Sequence, residues 1–231
     1  MKVIEEKMVG DKLTLFSTLY GPITFVVIGR NHDAENTITV ISEKVIDILP
    51  FSGTLFKDVR NIFSSGKYNN AYCYNTTVYK YSQLQYWMNG LYTNYNQYNY
   101  IIPFCNSLED DIKRAIVPVK KSTINRITDE VFTTTDSIFL LSATEVGLEA
   151  NPIEGHTYDY FYKNSPLTSS IEKNVIDSGD LKESPYWLRS QDETGENVLL
   201  VDTKNKLNPV NPKITAGFRP AMCLDFSMLH R

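Results

Sequence analysis

Histidine, cysteine and tryptophan are scarce in this chain, with 3, 3 and 2 copies among 231 residues. His32, His156 and His230 are too few and too scattered for a multi-histidine metal centre. Cys73, Cys105 and Cys223 are odd in number and unevenly spaced. This argues against a disulfide framework and reads each as a small buried apolar side chain. Long apolar runs are also missing: the longest, Ile23 to Ile28, is strand-sized and interrupted by Thr24. It falls far short of the roughly 18 to 20 residues of a membrane helix, so no membrane insertion is expected. An excess of basic charge is missing too, with a formal net charge of -4 and a pI near 5.5, which argues against a nucleic-acid partner. Lys113-Arg114 with Lys120-Lys121 form the one basic cluster, read as a solvated helix end and strand edge. Acidic residues in Met1–Lys7 stand where a signal peptide would need an apolar stretch, so the chain is expected to be made in a cytoplasm without export.

No Gly-rich phosphate loop, Gly-x-Ser-x-Gly elbow or His-Glu-x-x-His helix is present. His32-Asp33 with Glu35 admits a metal in a turn, although Asn-His-Asp is also ordinary turn chemistry. No cofactor is expected. What the chain does have is 42% hydrophobic and 22% charged residues, the balance of one globular domain. It also has 15 tyrosines. Tyrosine and asparagine suit recognition surfaces, because tyrosine covers much area at low entropy cost and asparagine hydrogen-bonds adaptably. A genome rich in A and T would produce the same enrichment, and composition leaves both explanations open.

Turn residues at 20–22 and 31–33 divide Leu13 to Leu19, Ile23 to Ile28 and Thr37 to Ser42 into a strand meander. Residues 50–80 and 150–185 read as long loops, the first with a short helical turn around Asp58 to Ile62. Leu84, Trp87, Met88 and Leu91 make one apolar stripe on a helix from Ser82, its natural N-cap. Ser107 is positioned to cap a second helix whose Glu109, Asp110 and Asp111 complement the dipole. Ile138 to Leu141 reads as a buried strand, and Ser142-Ala143-Thr144-Glu145 as a capping box opening a short helix that stops at Gly147. Strands return at Tyr186 to Ser190, Val198 to Asp202 and Phe218 to Leu224.

Five segments occur in a definite order: the meander ending in Val40-Ile41-Ser42, Tyr81 to Asn89 with Trp87-Met88-Asn89, Ile138 to Ser142 with Glu145, Tyr186-Trp187-Leu188-Arg189-Ser190, and Gly217-Phe218-Arg219-Pro220-Ala221-Met222. Spanning Met8 to Asp225, this order resembles an uncharacterised domain family of phage virion and Gram-positive bacterial proteins. That family is distantly similar to phage tropism determinants and formylglycine-generating enzymes. The resemblance implies an α+β, C-type-lectin-like fold over the whole chain. Such a fold would have short, mostly antiparallel strands, two or three short helices and long loops.

Trp87 on its helical stripe and Trp187 on its strand are read as core residues that meet inside the domain. Arg189 and Arg219, each within an apolar strand, require acidic or carbonyl partners, with Asp136, Glu145 and Asp202 as candidates. The alternative is an anion site shared by both arginines. The similarity to formylglycine-generating enzymes implies a cysteine-dependent oxidase with a pair of late cysteines, and only Cys223 is there. The calcium-ligand motifs of lectins are absent.

Recognition is expected instead on tyrosine-rich loops. The candidate binding residues are Tyr92, Asn94, Tyr95, Asn96, Tyr98, Asn99 and Tyr100, together with Tyr158, Tyr160 and Tyr162. The other reading is that these tyrosines only cover the domain's own surface. The expected function is a non-catalytic particle component in the tail, baseplate or capsid decoration of a virion. Its partners would be other virion structural proteins and a host cell-surface glycan or protein, within a homo-oligomer or symmetric assembly. The alternative is a free bacterial carbohydrate-binding domain or a formylglycine-generating-enzyme-like oxidase.

Overall fold

In the computed structural model, residues 7–52, 76–91, 102–165 and 184–230 are described. The strands in chain order are β1 (Lys12–Ser17), β2 (Gly21–Arg30), β3 (Thr37–Ser42), β4 (Asp47–Pro50), β5 (Val119–Asn125) and β6 (Glu130–Asp136). They continue with β7 (Tyr186–Gln191), β8 (Val198–Val201), β9 (Leu207–Val210), β10 (Thr215–Phe218) and β11 (Ala221–Asp225). The helices are α1 (Gln83–Asn89), α2 (Phe104–Ser107) and α3 (Asp110–Ala115), none longer than seven residues.

The meander expected at the amino end forms β1 to β3, and β11 adds antiparallel to β3, giving the order β1-β2-β3-β11. A second sheet runs β4-β10-β7-β8-β9, and β5 and β6 form a separate hairpin. Every residue of β3 and of β7 is buried. Strands covered on both faces show no polar alternation, which is why their sequences are nearly continuous in Val, Ile and Leu or carry Trp and Arg. Successive residues feed two cores: Trp187 enters one with Phe25, Val40, Trp87, Phe104 and Phe218. Tyr186 and Leu188 enter the other with Ile41, Phe139, Tyr158 and Cys223. The register of β2 shifts between Val27 and Gly29. A Cβ at Gly29 would stand 2.8 Å from the Tyr158 ring, so the glycine permits that ring's close approach.

The α+β expectation is overturned. Among the described residues the molecule is β-rich, with eleven strands and only short helical pieces. The reason lies in the connections. Leu108 and Glu109 are extended and split the expected second helix into α2 and α3. Ser107 therefore ends α2 rather than capping a helix, and its hydroxyl bonds Phe104 O and Ser17 Oγ. Ser142 and Glu145 do make both capping-box bonds, Ser142 N to Glu145 Oε2 at 3.1 Å and Glu145 N to Ser142 Oγ at 3.0 Å. The chain there turns without continuing as a helix.

Ile138 to Leu141 is buried as expected, yet it joins a sheet only through the Phe139–Ala221 bridge. The β5–β6 hairpin was not anticipated beyond a strand edge at the lysines. Ser82 caps α1 as expected, accepting from Gln85 N at 3.1 Å. The expected turn at Asp58 to Ile62 lies outside the described residues.

Trp87 and Trp187 occupy the same core, each packed on phenylalanines. Trp87 packs on Phe104 and Phe218, and Trp187 on Phe51. Each indole N–H donates to a carbonyl, Trp87 to Ile102 O at 3.1 Å and Trp187 to Leu49 O at 2.7 Å. No helix among the described residues is long and apolar enough to cross a membrane.

Candidate functional site

Four charged side chains from four separate segments meet in the interior. Asp33 comes from the β2–β3 turn, whose Asn31 and Asn36 take positive φ of 51° and 57°. Lys121 comes from β5, Glu145 from the turn after Leu141, and Arg189 from the middle of β7. Their side chains are 8%, 3%, 3% and 1% exposed, so these charges must neutralise one another.

Arg189 is the hub. Its Nη2 donates to Glu145 Oε1 at 2.9 Å and to Glu154 O at 2.7 Å. Its Nη1 donates to Leu140 O at 2.9 Å and to Glu145 Oε2, completing a bidentate pair. Lys121 Nζ donates to Asp33 Oδ1 at 2.6 Å, to Glu145 Oε1 at 3.0 Å and to the Tyr158 hydroxyl oxygen at 2.8 Å. On the far oxygen of Asp33, Oδ2 accepts from Thr39 Oγ1 at 2.6 Å and from Tyr158 OH at 2.7 Å. Phe139 closes the apolar side, its ring centroid 4.1 Å from Lys121 Nζ, and His32 stacks on Tyr158 at 4.0 Å.

Burial opposes ionisation of Asp33 and Glu145, but the neighbouring cations outweigh it. Lys121, with the hydroxyls of Thr39 and Tyr158, holds Asp33 below its usual value. Arg189 and Lys121 do the same for Glu145. Glu154 is different. Burial pushes its carboxyl up, beyond what Arg189, the Ser190 hydroxyl and the Ile124 N–H pull down. Burial also lowers His32, so it is a neutral ring at physiological pH. A cleft of about 230 Å³ opens beside the cluster, lined by His32, Lys121, Glu145, Glu154, His156 and Arg189 among others.

Arg189 thus takes Glu145, one of its three candidate acids, together with carbonyls. Asp136 instead accepts from Gln85 Nε2 and Thr134, and Asp202 caps its own turn. Arg219 binds a carbonyl, its Nε donating to Ser42 O at 2.7 Å, and its guanidinium lies 5.0 Å from the Tyr186 ring centre. The two arginines serve different seams, and Arg189 is engaged by Glu145 and main-chain oxygens rather than by an open anion site. Cys223 is wholly buried on β11, and burial pushes its thiol up. Among the described residues, no group of three or more His, Cys, Asp or Glu side chains is placed to hold a metal ion. Asp33 of the His32-Asp33-Glu35 turn is occupied by Lys121.

The tyrosine candidates separate. Tyr92, Asn94, Tyr95, Asn96, Tyr98, Asn99 and Tyr100 lie outside the described residues. Tyr162 is 71% exposed, and Tyr160 is partly exposed. Tyr158 is wholly buried, so it is not part of an exposed contact face and belongs to the ionic cluster. The expectation of a surface residue failed there because Tyr158-Asp159-Tyr160-Phe161-Tyr162 turns as a 3₁₀ segment that sends Tyr158 and Phe161 inward. Lys121 was also misread as solvated. The available signal was its place two residues after Val119 and two before Thr123, the inward phase of β5.

One family model, described as a domain of unknown function (DUF6273), matches residues 36–226, and this range includes Lys121, Glu145, Glu154, Arg189 and Arg219. No curated protein and no solved structure matches the chain.

Proposed function

This chain belongs to the DUF6273 family, and on that premise we propose that it is a non-catalytic structural and binding module of a phage-type particle. It sits on the tail, baseplate or capsid surface and contacts other particle proteins or the host surface. The observation that carries this reading is the use of the distinctive residues. Trp87, Trp187, Arg189 and Arg219 are all turned into the interior, where indoles fill the core and guanidiniums tie strands to turns. Residues spent on rigidity suit a module that presents surface loops from a stiff body. The order of the motifs, which resembles that of virion proteins, supplies the setting. Against an oxidase, Cys223 is buried with its thiol held protonated, the reverse of an activated nucleophile.

The test is mass spectrometry of particles purified from the source by density gradient. The chain should be present at a constant ratio to the major capsid or tail protein. Recovery only in the free soluble fraction would overturn the proposal.

A further inference from the structure

Lys121, Asp33 and Glu145 are arranged as reactants as well as ions. Lys121 Nζ is 2.6 Å from Asp33 Oδ1 and 3.0 Å from Glu145 Oε1, and both partners are nearly sealed from solvent. Asp33 Oδ2 is held from the other side by two hydroxyl donors, Thr39 at 2.6 Å and Tyr158 at 2.7 Å. An amine confined against a carboxyl group, a carboxylate within reach of the amine protons, and two donors on the other carboxyl oxygen are the requirements for acyl transfer. We propose that Lys121 and Asp33 condense spontaneously to an amide, an intramolecular cross-link between β5 and the β2–β3 turn, with Glu145 relaying the proton.

The step balances without a co-reactant. The Lys121 ammonium passes one proton across its contact to Asp33 Oδ1, giving a neutral amine beside a neutral carboxylic acid, a minor form because Lys121 and the two hydroxyls hold Asp33 ionised, but the one from which reaction starts. Nζ then attacks Asp33 Cγ, and the new C–N bond places negative charge on Oδ2, where the Thr39 and Tyr158 hydroxyls stabilise it. Glu145 Oε1 takes a second proton from Nζ and delivers it to Oδ1. The Cγ–Oδ1 bond breaks, Oδ1 leaves as water, and Oδ2 becomes the amide carbonyl. Glu145 ends as the carboxylate it began as, kept in place by Arg189. The adjoining cleft gives the water an exit.

Reactants held in contact at fixed orientation reach effective concentrations of about 10⁵ M or more, enough to draw a condensation forward that is unfavourable between free molecules in water. Glu145 is the less suitable acyl donor, because Arg189 holds both of its oxygens. The product joins residues 88 positions apart and restrains the unfolded chain as a disulfide would, in a protein with no disulfide among its described residues. The inference does not depend on the proposed function.

The decisive experiment is the intact mass of the purified full chain in denaturant, followed by peptide mapping. The expected mass is one water below that of the sequence, with a branched peptide joining Asp33 to Lys121. Lys121→Arg and Glu145→Gln should each restore the full sequence mass. An uncross-linked wild type, or a missing water that maps elsewhere, would overturn the proposal, and the wild-type measurement requires no variant to fold. A Glu145→Gln protein that still loses the water at Asp33–Lys121 would overturn the relay.

Discussion

Glu154 shows how one buried carboxyl sets a pH dependence of its own. It is 1% exposed, accepts from Ser190 Oγ and Ile124 N, and is pushed up from 4.5 by burial. A carboxyl raised in the folded state binds its proton more tightly there than in the unfolded chain. Its contribution to stability is therefore complete below 4.5 and is lost as pH rises through the folded value. Glu145 has the opposite sign: it is lowered, and its contribution is lost as pH falls through the folded value. Glu154→Gln has no proton to lose and should gain stability relative to wild type as pH rises from about 4 to about 7. Urea unfolding at a series of pH values measures this, and an offset independent of pH would contradict it. At Cys223, a thiol with no exposure and an elevated pKa should resist labelling in the native protein and react only in denaturant. Rapid native labelling at that position would reopen the oxidase reading.

At the level of elements, the β4-β10-β7 seam of the five-stranded sheet depends on absent volume as much as on contacts. Gly217 on β10 lies between β4 and β7, and a Cβ there would stand 2.6 Å from Val45 Cγ2 and 2.7 Å from Pro185 O. The second neighbour is backbone and cannot swing aside. Gly217→Ala should cost about 1 to 3 kcal/mol of unfolding free energy, read from the denaturant midpoint. An unchanged midpoint would mean that the seam is looser than its packing indicates. Trp187→Ala on β7 removes an indole packed on Phe51 and bonded to Leu49 O, and should cost about 3 to 5 kcal/mol by the same measurement.

The elements most legible in the sequence were those governed by local chemistry. β3 runs Thr37–Ser42 as read, and Ser82 caps α1. Elements fixed by distant partners were not legible. Ile138 to Leu141 is as apolar as any strand here, yet it pairs through a single bridge, because Arg189 claims Leu140 O and Arg189 N bonds Leu141 O. Polar β6, Glu-Val-Phe-Thr-Thr-Thr-Asp, carries no strong apolar pattern and becomes a strand only because β5 lies beside it.

Across the whole molecule, the candidate site was half legible. Arg189 announced itself as a charge in an apolar strand, and Glu145 stood among its three expected partners. Lys121 hid in a lysine pair, and Tyr158 in a run of tyrosines, because nothing in either stretch tells which neighbour turns inward. Only the packing of the Tyr158 segment against β2, and of β5 beside β7, decides it. Arg189 is the side chain through which these parts communicate. It links β7 to Leu140, to Glu145 and to Glu154, and through Glu145 to Lys121. Removing one member of a buried ionic group leaves its partners as uncompensated charges, a far greater penalty than the group's net worth. The most direct test is urea unfolding of Arg189→Met at neutral pH, compared with the wild type. A stability loss of about 3 to 5 kcal/mol, or failure to fold, is the result expected of a structural clasp. A variant within about 0.5 kcal/mol of wild type would show that the cluster does not hold the fold together.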